Sequence, residues 1–429
     1  MKTFTSPLIL GSIRCLRGNT RVSIFFEPLW GIPYVLYTFY LSLYMKELGV
    51  SDVQLGYIIA ISAVASAFFA MIGGVITDIL GRKRTTLIFD LLAWPGALLI
   101  YLLSDNFWLF ALATFVNSAV KVVSISWNLM VIEDADPHQQ LVAYNLINII
   151  NLSTGFLVPL AGWLVAALGI LNGERILLGF ALVSMAVMIL GRNHCYQETE
   201  VGRQVMAECR RDGLRNLIKR HSPQNAWFSL REKPSLALAL SLVSLFNAFI
   251  PIGTFTSLYY APYLTEALKL DRSAISFLGG AGPAVMFLVF VFVNPRVPGA
   301  RRFQAMISGF IVQILALAGF ILIRPGRFGL TLLAVAGFAV GFSITKPFLD
   351  TVMAHATSGK ERAGVYSLSY TLTSVLTAVL GMISGYLYQI HPGLIFGLSI
   401  LLLAACLSLL LILQAKYQNM PNPAESAPA

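Results

Sequence analysis

The sequence predicts an all-α membrane protein with twelve transmembrane helices in two pseudo-symmetric six-helix halves. Of the 429 residues, 57% are hydrophobic and only 12% are charged, and the mean hydropathy is +0.75. Soluble globular proteins carry about 25% charged residues, so this composition excludes a soluble domain. Long apolar runs alternate with short polar segments along nearly the whole chain, and they set the number of predicted helices.

Each of the twelve apolar runs is long enough to cross a bilayer, which takes about 20 predominantly apolar residues in a helix. The first run begins only near residue 22 and is too long to be the apolar core of a cleavable signal peptide. The predicted spans, in order, are 22–45, 53–77, 85–104, 106–131, 141–168, 172–191, 235–265, 273–293, 303–323, 328–352, 364–389 and 393–415.

The basic residues predict the orientation of the spans. An even number of spans puts both termini on one side, and most of the 30 lysines and arginines fall in segments on that side. Positively charged loops stay in the cytoplasm, so we expect both termini in the cytoplasm and the chain in the plasma (inner) membrane. The formal net charge of +10 follows this topology instead of forming one patch, which argues against a nucleic-acid-binding protein.

A weak internal repeat supports the division into halves. A shift of 222 residues pairs Gly31 with Gly253 and Tyr37 with Tyr259, and it relates spans 1–6 to spans 7–12. Parallel repeats of this kind place a substrate site at their interface. The predicted domains are an N-terminal half at 1–191, a cytoplasmic linker at 192–234, a C-terminal half at 235–419 and a disordered tail at 420–429.

The linker is basic, and its apolar residues are interspersed with arginines and lysines. This pattern predicts either a short amphipathic helix on the anionic inner leaflet or a disordered tether. We expect the cysteines to be free thiols, because three fall in cytoplasmic segments and one in the last span. They are Cys15, Cys195, Cys209 and Cys406.

A short charged loop joins spans 2 and 3. Gly81 can supply the positive φ angle of a tight turn, and Asp78 ends span 2. The tendency of cytoplasmic loops to collect cations explains a basic run, but not an aspartate and glycines at fixed offsets. The full pattern is Gly74, Asp78, Gly81, Arg82, Lys83 and Arg84.

This loop resembles the signature G-x-x-x-D-x-x-G-R-[KR]-[KR] of the major facilitator superfamily, which joins helices 2 and 3 in those transporters. The resemblance implies a transporter that works by alternating access, in which the loop is a conformational latch centred on Asp78 and Arg82. It also implies that spans 1, 4, 7 and 10 line a central cavity. No ATP-binding loop is present, so we expect a gradient to drive transport, with proton coupling and efflux as open possibilities.

Lys121 lies near the middle of span 4, too far from either end to reach water easily. A charge inside a span costs roughly 2.5–3.5 kcal/mol on insertion scales, so it usually faces a cavity or a partner. We expect Lys121 to be a counter-charge for an anionic substrate group or to carry a proton. The alternative is a fixed ion pair between two helices.

Four charges in other predicted spans are candidates for a gate or for ion coupling. Glu27 and Lys346 could pair across the halves on the cytoplasmic side, or Lys346 could pair locally with Asp350. Asp90 is expected to pair with Arg84, which lies one to two turns away. Burial favours the neutral form of a carboxylate, so proton coupling stays open for Glu27 and Asp90.

Aromatic side chains with polar groups follow one face of span 1, at Trp30, Tyr34 and Tyr37. Span 7 adds Asn247 and Tyr259. Such residues suit a pocket for a small organic molecule, and together with Lys121 they form the predicted substrate cavity. The alternative is an aromatic belt at the membrane surface.

The sequence therefore predicts a secondary active transporter of a small organic molecule, acting as a monomer in the bilayer. We expect no enzymatic activity, no metal and no cofactor. Two alternatives on the same fold stay open, namely a lipid flippase or scramblase and a transporter-like receptor that binds its ligand without moving it.

Overall fold

The computed structural model describes residues 16–212, 234–298, 301–356 and 362–418. Nearly all of these residues are helical, and none of them is in a strand. Cys15, residues 213–233 of the linker and the tail at 420–429 carry sequence predictions but lie outside the described residues.

Six membrane helices form the N-terminal half. The path from residue 137 to residue 195 is continuously helical except for a turn at Gly169, where φ is 81° and ψ is 166°. Gly81, between the second and third helices, has nearly the same conformation, with φ 85° and ψ 163°. The helices are α1 Gly18–Glu47, α2 Asp52–Leu80, α3 Arg82–Leu103, α4 Phe107–Ile132, α5 137–168 and α6 170–195.

Six more form the C-terminal half, and a separate linker helix at Glu200–Asp212 follows α6. The helices of this half are α7 Pro234–Gly253, α8 Arg272–Arg296, α9 Arg302–Leu322, α10 Phe328–Ala356, α11 Arg362–Ile390 and α12 Leu394–Gln418.

The seventh span is shorter than predicted. A continuous helix over 235–265 was expected, but α7 ends at Gly253 and residues 254–259 are irregular before a helical turn at Tyr260–Pro262. The Thr254 hydroxyl donates to the Ile250 carbonyl and shares a hydrogen bond with Thr256. Pro251 lacks a backbone N–H, and a hydroxyl that bonds to nearby backbone competes with regular helix, so the chain unwinds here.

The described residues agree with twelve membrane crossings. Within them, ten helical segments are long and apolar enough to span a membrane, and one of these, Val142–Cys195, has 54 residues. Its turn at Gly169 divides it into two passes. α1, with 30 residues, is also long enough, so α1 to α12 make twelve, in line with the predicted fold.

The two halves meet through two helix pairs, α2 with α11 and α5 with α8. In two similar six-helix halves, α2 corresponds to α8 and α5 corresponds to α11. The two contacts are therefore equivalent, as expected from the repeat. We call the membrane face that carries the Gly81 turn and the linker the linker side, and the opposite face the distal side. The contacts lie towards the distal side, since Gly56 is near the start of α2 and Gly381 is near the end of α11.

Glycines let these helices touch backbone to backbone. A Cβ atom on Gly56 would lie 2.5 Å from the Gly381 carbonyl oxygen, and one on Gly162 would lie 1.9 Å from Ser276 Oγ. Both distances are too short for any side chain. The close fit therefore requires glycine at these positions, as is common between membrane helices.

We predict that Gly56→Ala destabilises the protein. The added methyl group would meet backbone, which yields little, and overpacking typically costs about 1–3 kcal/mol. Gly179→Ala is the matched control, because nothing lies within 4 Å of that position and alanine is better than glycine in a helix by roughly 0.5–1 kcal/mol. Thermal unfolding of the purified proteins should give a lower Tm for Gly56→Ala and an equal or higher Tm for Gly179→Ala. Equal Tm values for the two variants would contradict the tight contact.

Candidate functional site

A cavity of about 710 Å³ lies between the two halves. Residues of α1, α2, α3, α4, α7, α10 and α11 line it, and hydroxyl and amide groups are frequent among them. This volume is in the range of small-molecule pockets. The polar lining includes Ser62, Ser66, Asn117, Asn247, Thr373 and Thr377.

Lys121 of α4 lines this cavity. Its ammonium nitrogen lies 5.5 Å from the centre of the Tyr370 ring on α11, within the range of a cation–π contact. Among the described residues, no carboxylate lies within 4.0 Å of the Lys121 ammonium. The fixed ion pair that the sequence left open is therefore not found in this part of the chain, and Lys121 contacts the opposite half through an aromatic ring.

Irregular backbone borders the cavity on both halves. Regular helix in α4 stops at Asn117 and resumes at Val120, just before Lys121. The irregular stretch after α7 contributes Thr256 and Leu258 to the lining. Irregular backbone at membrane depth is tolerated only where it is buried in protein or lines a cavity. Both of these breaks meet that condition, because residues at or next to them line the cavity.

Four predicted cavity residues lie outside this lining. The Trp30 and Tyr34 rings stack on each other at 4.8 Å, and both meet Trp94 of α3. Tyr37 contacts Tyr34 edge to face. This aromatic face of α1 therefore packs on α3 instead of lining the cavity. Tyr259, the fourth residue, is buried in a cluster on the distal side.

The distal cluster joins the halves through charge and hydrogen bonds. Lys46, at the end of α1, lies 2.6 Å from both Asp52 and Glu266. Tyr388 donates a hydrogen bond to Glu266, and Tyr259 donates one to the Asp52 carbonyl. None of the site residues predicted from the sequence, apart from Tyr259, belongs to this cluster. Opposite charges after the corresponding spans 1 and 7 were the signal that could have found it.

The proposed gate between Glu27 and Lys346 is absent from this conformation. Lys346 forms an ion pair of 2.5 Å with Asp350, four residues further along α10, which is the local alternative. Asp350 also lines the cavity. Glu27 is buried within the N-terminal half, where Arg192 and Asp90 are near enough to act on its charge.

Asp90 pairs with Arg192 and not with Arg84 as expected. The guanidinium of Arg192, at the end of α6, donates a hydrogen bond to Asp90, and both side chains are buried. Arg192 also lies over the Tyr196 ring. Arg84, in the first turn of α3, is exposed. The cation that pairs with Asp90 therefore comes from α6 and not from α3 as predicted.

The charged loop is built around Arg82, which is 4% exposed. Its guanidinium donates to Asp78 at 3.2 Å and to both oxygens of Glu133 at 3.0–3.2 Å. Gly81 has the positive φ that the turn requires. Gly74 is half-buried, but the close approach to α4 occurs one residue earlier, at Gly73.

The linker holds this loop from the other side. The Glu198 carboxylate accepts hydrogen bonds from the backbone N–H groups of Arg82 and Lys83, the first residues of α3. The Lys83 ammonium donates to the Tyr196 carbonyl at 2.7 Å. The Thr199 hydroxyl donates to Glu133. A Cβ atom on Gly81 would lie 2.6 Å from Glu198 Oε2, so this glycine serves both the turn and the contact with the linker.

The linker helix packs on the protein. Val205 and Met206 are half-buried, whereas Val201 is exposed. A Cβ atom on Gly81 would lie 2.8 Å from Met206 Sδ. A helix resting on the inner leaflet was one expectation and a disordered tether the other. Over Glu200–Asp212 the chain is a helix, as the first expectation has it, and it contacts the loop between α2 and α3. The position of this helix on the inner leaflet stays a prediction, and the basic stretch at 213–233 lies outside the described residues.

Glu174 of α6 is a buried acid that the sequence reading did not identify. It is 0% exposed, and neither carboxylate oxygen has a hydrogen-bond partner. The predicted span began at residue 172, which placed Glu174 at a solvated helix end. The structure has helix from residue 170, and Glu174 faces inwards.

Comparison with known proteins gives a consistent assignment. A model of the Major Facilitator Superfamily matches residues 31–346. No curated protein sequence matches the chain significantly.

Among solved structures, a variant of the nucleoside transporter NupG aligns with a TM-score of 0.73 at 14% identity, covering 92% of this chain and 100% of that chain. A D-xylose-proton symporter aligns with a TM-score of 0.66 at 14% identity, over 94% of this chain and 97% of that one. The human organic anion transporter MFSD10 aligns with a TM-score of 0.59 at 14% identity, with the same coverage. Identities this low show a shared fold.

We predict that Arg82→Lys destabilises the protein although it keeps the charge. A lysine cannot reproduce the forked contacts to Asp78 and Glu133, and breaking a buried ion pair costs about 3–5 kcal/mol. Arg84→Lys is the control, since Arg84 is exposed two residues away. Thermal unfolding should give a clearly lower Tm for Arg82→Lys and an almost unchanged Tm for Arg84→Lys. Similar Tm values for both variants would contradict a structural role for the forked contacts of Arg82.

Proposed function

Because this chain belongs to the major facilitator superfamily, a class of membrane transporters, we propose that it is a secondary active transporter that carries a small organic anion between its halves by alternating access. The observation that carries this proposal is Lys121. It places a cation at the middle of a membrane helix, inside a cavity of about 710 Å³, with no carboxylate partner among the described residues.

The lining of the cavity suits such a cargo. The carboxylate or phosphate of a substrate would pair with the Lys121 ammonium, and the remaining polar groups would bind hydroxyls and amides. Tyr370 and Asn247 lie on the C-terminal half, so one bound molecule would contact both halves. The fold resembles those of an organic anion transporter and a D-xylose-proton symporter. The first is named for the class of cargo proposed here, and the second for a neutral sugar moved with a proton.

Alternating access is supported by the asymmetry between the two membrane faces. The glycine contacts and the distal cluster around Lys46 and Glu266 hold the halves together on the distal side. The Asp350 side chain, towards the linker side of α10, lines the cavity and is half exposed. With the linker side assigned to the cytoplasm from the basic loops, this conformation is closed to the outside.

The charged loop then acts as the latch of the switch. Arg82 ties α2 to α4 through Asp78 and Glu133, and Glu198 ties the loop to the linker. Movement of one half against the other must carry this cluster as a unit or break it. A gradient supplies the energy, and a proton is the candidate coupling ion.

We predict that Lys121→Met weakens the binding of organic anions at least about tenfold. The substitution keeps most of the length of the side chain and removes its charge, and a hydrogen bond to a charged group contributes about 1.5–3 kcal/mol, which corresponds to this loss in affinity. A ligand-stabilisation screen of the purified protein should find organic anions that raise the Tm of the wild type but not of Lys121→Met. Lys121→Arg is the control that keeps the charge, and it should retain part of the shift.

The same screen separates the proposal from its rivals. Hits that stabilise both Lys121→Met and the wild type equally would contradict a role for Lys121. Stabilisation by lipids alone would favour a flippase or scramblase on this fold. Binding without counterflow of labelled ligand in proteoliposomes would favour a receptor.

We predict that Asp78→Asn slows transport and leaves substrate affinity unchanged. The amide cannot pair with Arg82 as a carboxylate does, so the latch loses a charge-assisted contact, while the cavity is untouched. Initial rates of counterflow and equilibrium binding, measured side by side, check this expectation. An unchanged rate would exclude Asp78 from the switch.

A further inference from the structure

Glu174 is sealed inside the N-terminal half in this conformation. It is the fifth residue of α6 and is 0% exposed, and both carboxylate oxygens lack a partner. Burying an ionised carboxylate without a partner is so costly that the group takes up a proton instead. Inside a membrane the same rule makes an unpaired ionisable residue a candidate functional site. Glu174 therefore carries a proton while this surrounding packing is intact.

The groups around Glu174 provide no compensating charge. Tyr37 and Tyr40 of α1 are close enough to sense its charge, and Tyr101 of α3 is near Tyr37. Arg272, at the start of α8, is near Tyr40. No lysine or arginine of the described residues lies within 4.0 Å of Glu174, and its neighbour Arg175 is exposed.

Tyr40 connects this buried acid to the contact between the halves. Its hydroxyl donates to the Arg272 carbonyl oxygen at 3.5 Å, and it lies beside Ser276 of α8, since both would be within 3 Å of a Cβ atom on Gly162. Gly162 of α5 packs against the same serine so closely that it leaves no space for a Cβ atom. The α5–α8 contact is one of the two that close the distal side. Its separation would therefore uncover Tyr40 and admit water towards Glu174.

We propose that Glu174 is a proton-binding site whose occupancy is linked to closure of the distal side. The contact between α5 and α8 closes over the neutral acid. When the contact opens, the O–H bond of the carboxyl group can break, its electron pair stays on the carboxylate, and the proton passes to water on the distal side. Rebinding of a proton restores the closed state. This inference rests on the proposed alternating access and adds the ion that controls one of its steps.

The direction of the pH dependence follows from this linkage. The closed state excludes the charged carboxylate and the open state accepts it, so the closed state is stable at low pH and is lost as the pH rises. For one linked proton, the ratio of closed to open molecules changes by up to about tenfold per pH unit across the transition.

Distances between the halves on the distal side test the proposal. Spin labels at positions 105 and 324 would report this distance, because Asp105 and Arg324 are exposed in distal loops of opposite halves. The full-length protein is used, with its native cysteines replaced by serine. We expect the short distance to dominate at acidic pH and to give way to a longer one as the pH is raised.

Variants of Glu174 assign the effect to this residue. Glu174→Gln mimics the neutral acid and should stay closed at every pH, whereas Glu174→Asp keeps an acid and should keep a pH transition. Arg175→Gln, at the exposed neighbouring position, should behave as the wild type. A wild-type distance distribution that ignores pH, or a Glu174→Gln variant with the wild-type transition, would overturn the proposal.

The same measurement distinguishes failure of this inference from failure of the proposed function. Two distances whose ratio does not change with pH would overturn the role of Glu174 and leave alternating access intact. A single distance at every pH, and also with the substrate anion present, would contradict alternating access itself.

Discussion

Hydrocarbon does not tolerate a charge without a partner, and the arrangement of the helices follows from this constraint. Arg82 is satisfied by two carboxylates from different helices, Arg192 by an aspartate on α3, and Lys46 by a glutamate of the opposite half. Each pair fixes where two segments of the chain meet. Lys121, Glu174 and Glu27 depart from the pattern, since none of them has an ionic partner within 4.0 Å among the described residues. The proposed substrate and proton sites lie at the first two.

The linker contacts the proposed latch and is not only a connection between the halves. Glu198 accepts hydrogen bonds from two N–H groups at the start of α3, where a helix leaves its donors unsatisfied and where its dipole favours a negative charge. Thr199 completes the surroundings of Glu133. The segment that covalently joins the halves thus also contacts the loop that is proposed to time their movement.

The sequence predicted those features that depend on residues close together along the chain. The turn at Gly81 and the Asp78–Arg82 pair need only a local pattern, and the apolar runs give the number of crossings. The partner of Asp90 lies 102 residues away, and nothing local distinguishes Arg192 from the nearer Arg84. Such choices depend on which helices become neighbours.

Other errors came from the ends and faces of helices. Glu174 was passed over because the predicted span began two residues late and left it near the helix end, since hydropathy does not mark where a helix begins. Span 7 was predicted as one helix because its few polar residues interrupt the apolar run without ending it, which concealed the unwinding after Gly253. The face of α1 with Trp30 and Tyr34 was correctly read as one surface, but a period of 3.6 does not say which neighbour covers it, and Trp94 does so here.

The contact of α2 with α11 has a mechanical consequence. Backbone touches backbone at Gly56 and Gly381 with no side chain between them, and a gap of about 0.5–1 Å already removes a quarter to a half of the dispersion attraction of such a contact. The contact therefore stabilises the closed arrangement and weakens steeply as the two helices move apart. Partly separated arrangements gain much less from it, so this contact favours the fully closed state over them. In the proposed transport cycle, such a preference would leave solutes no continuous path across the membrane and would limit leakage of the driving gradient.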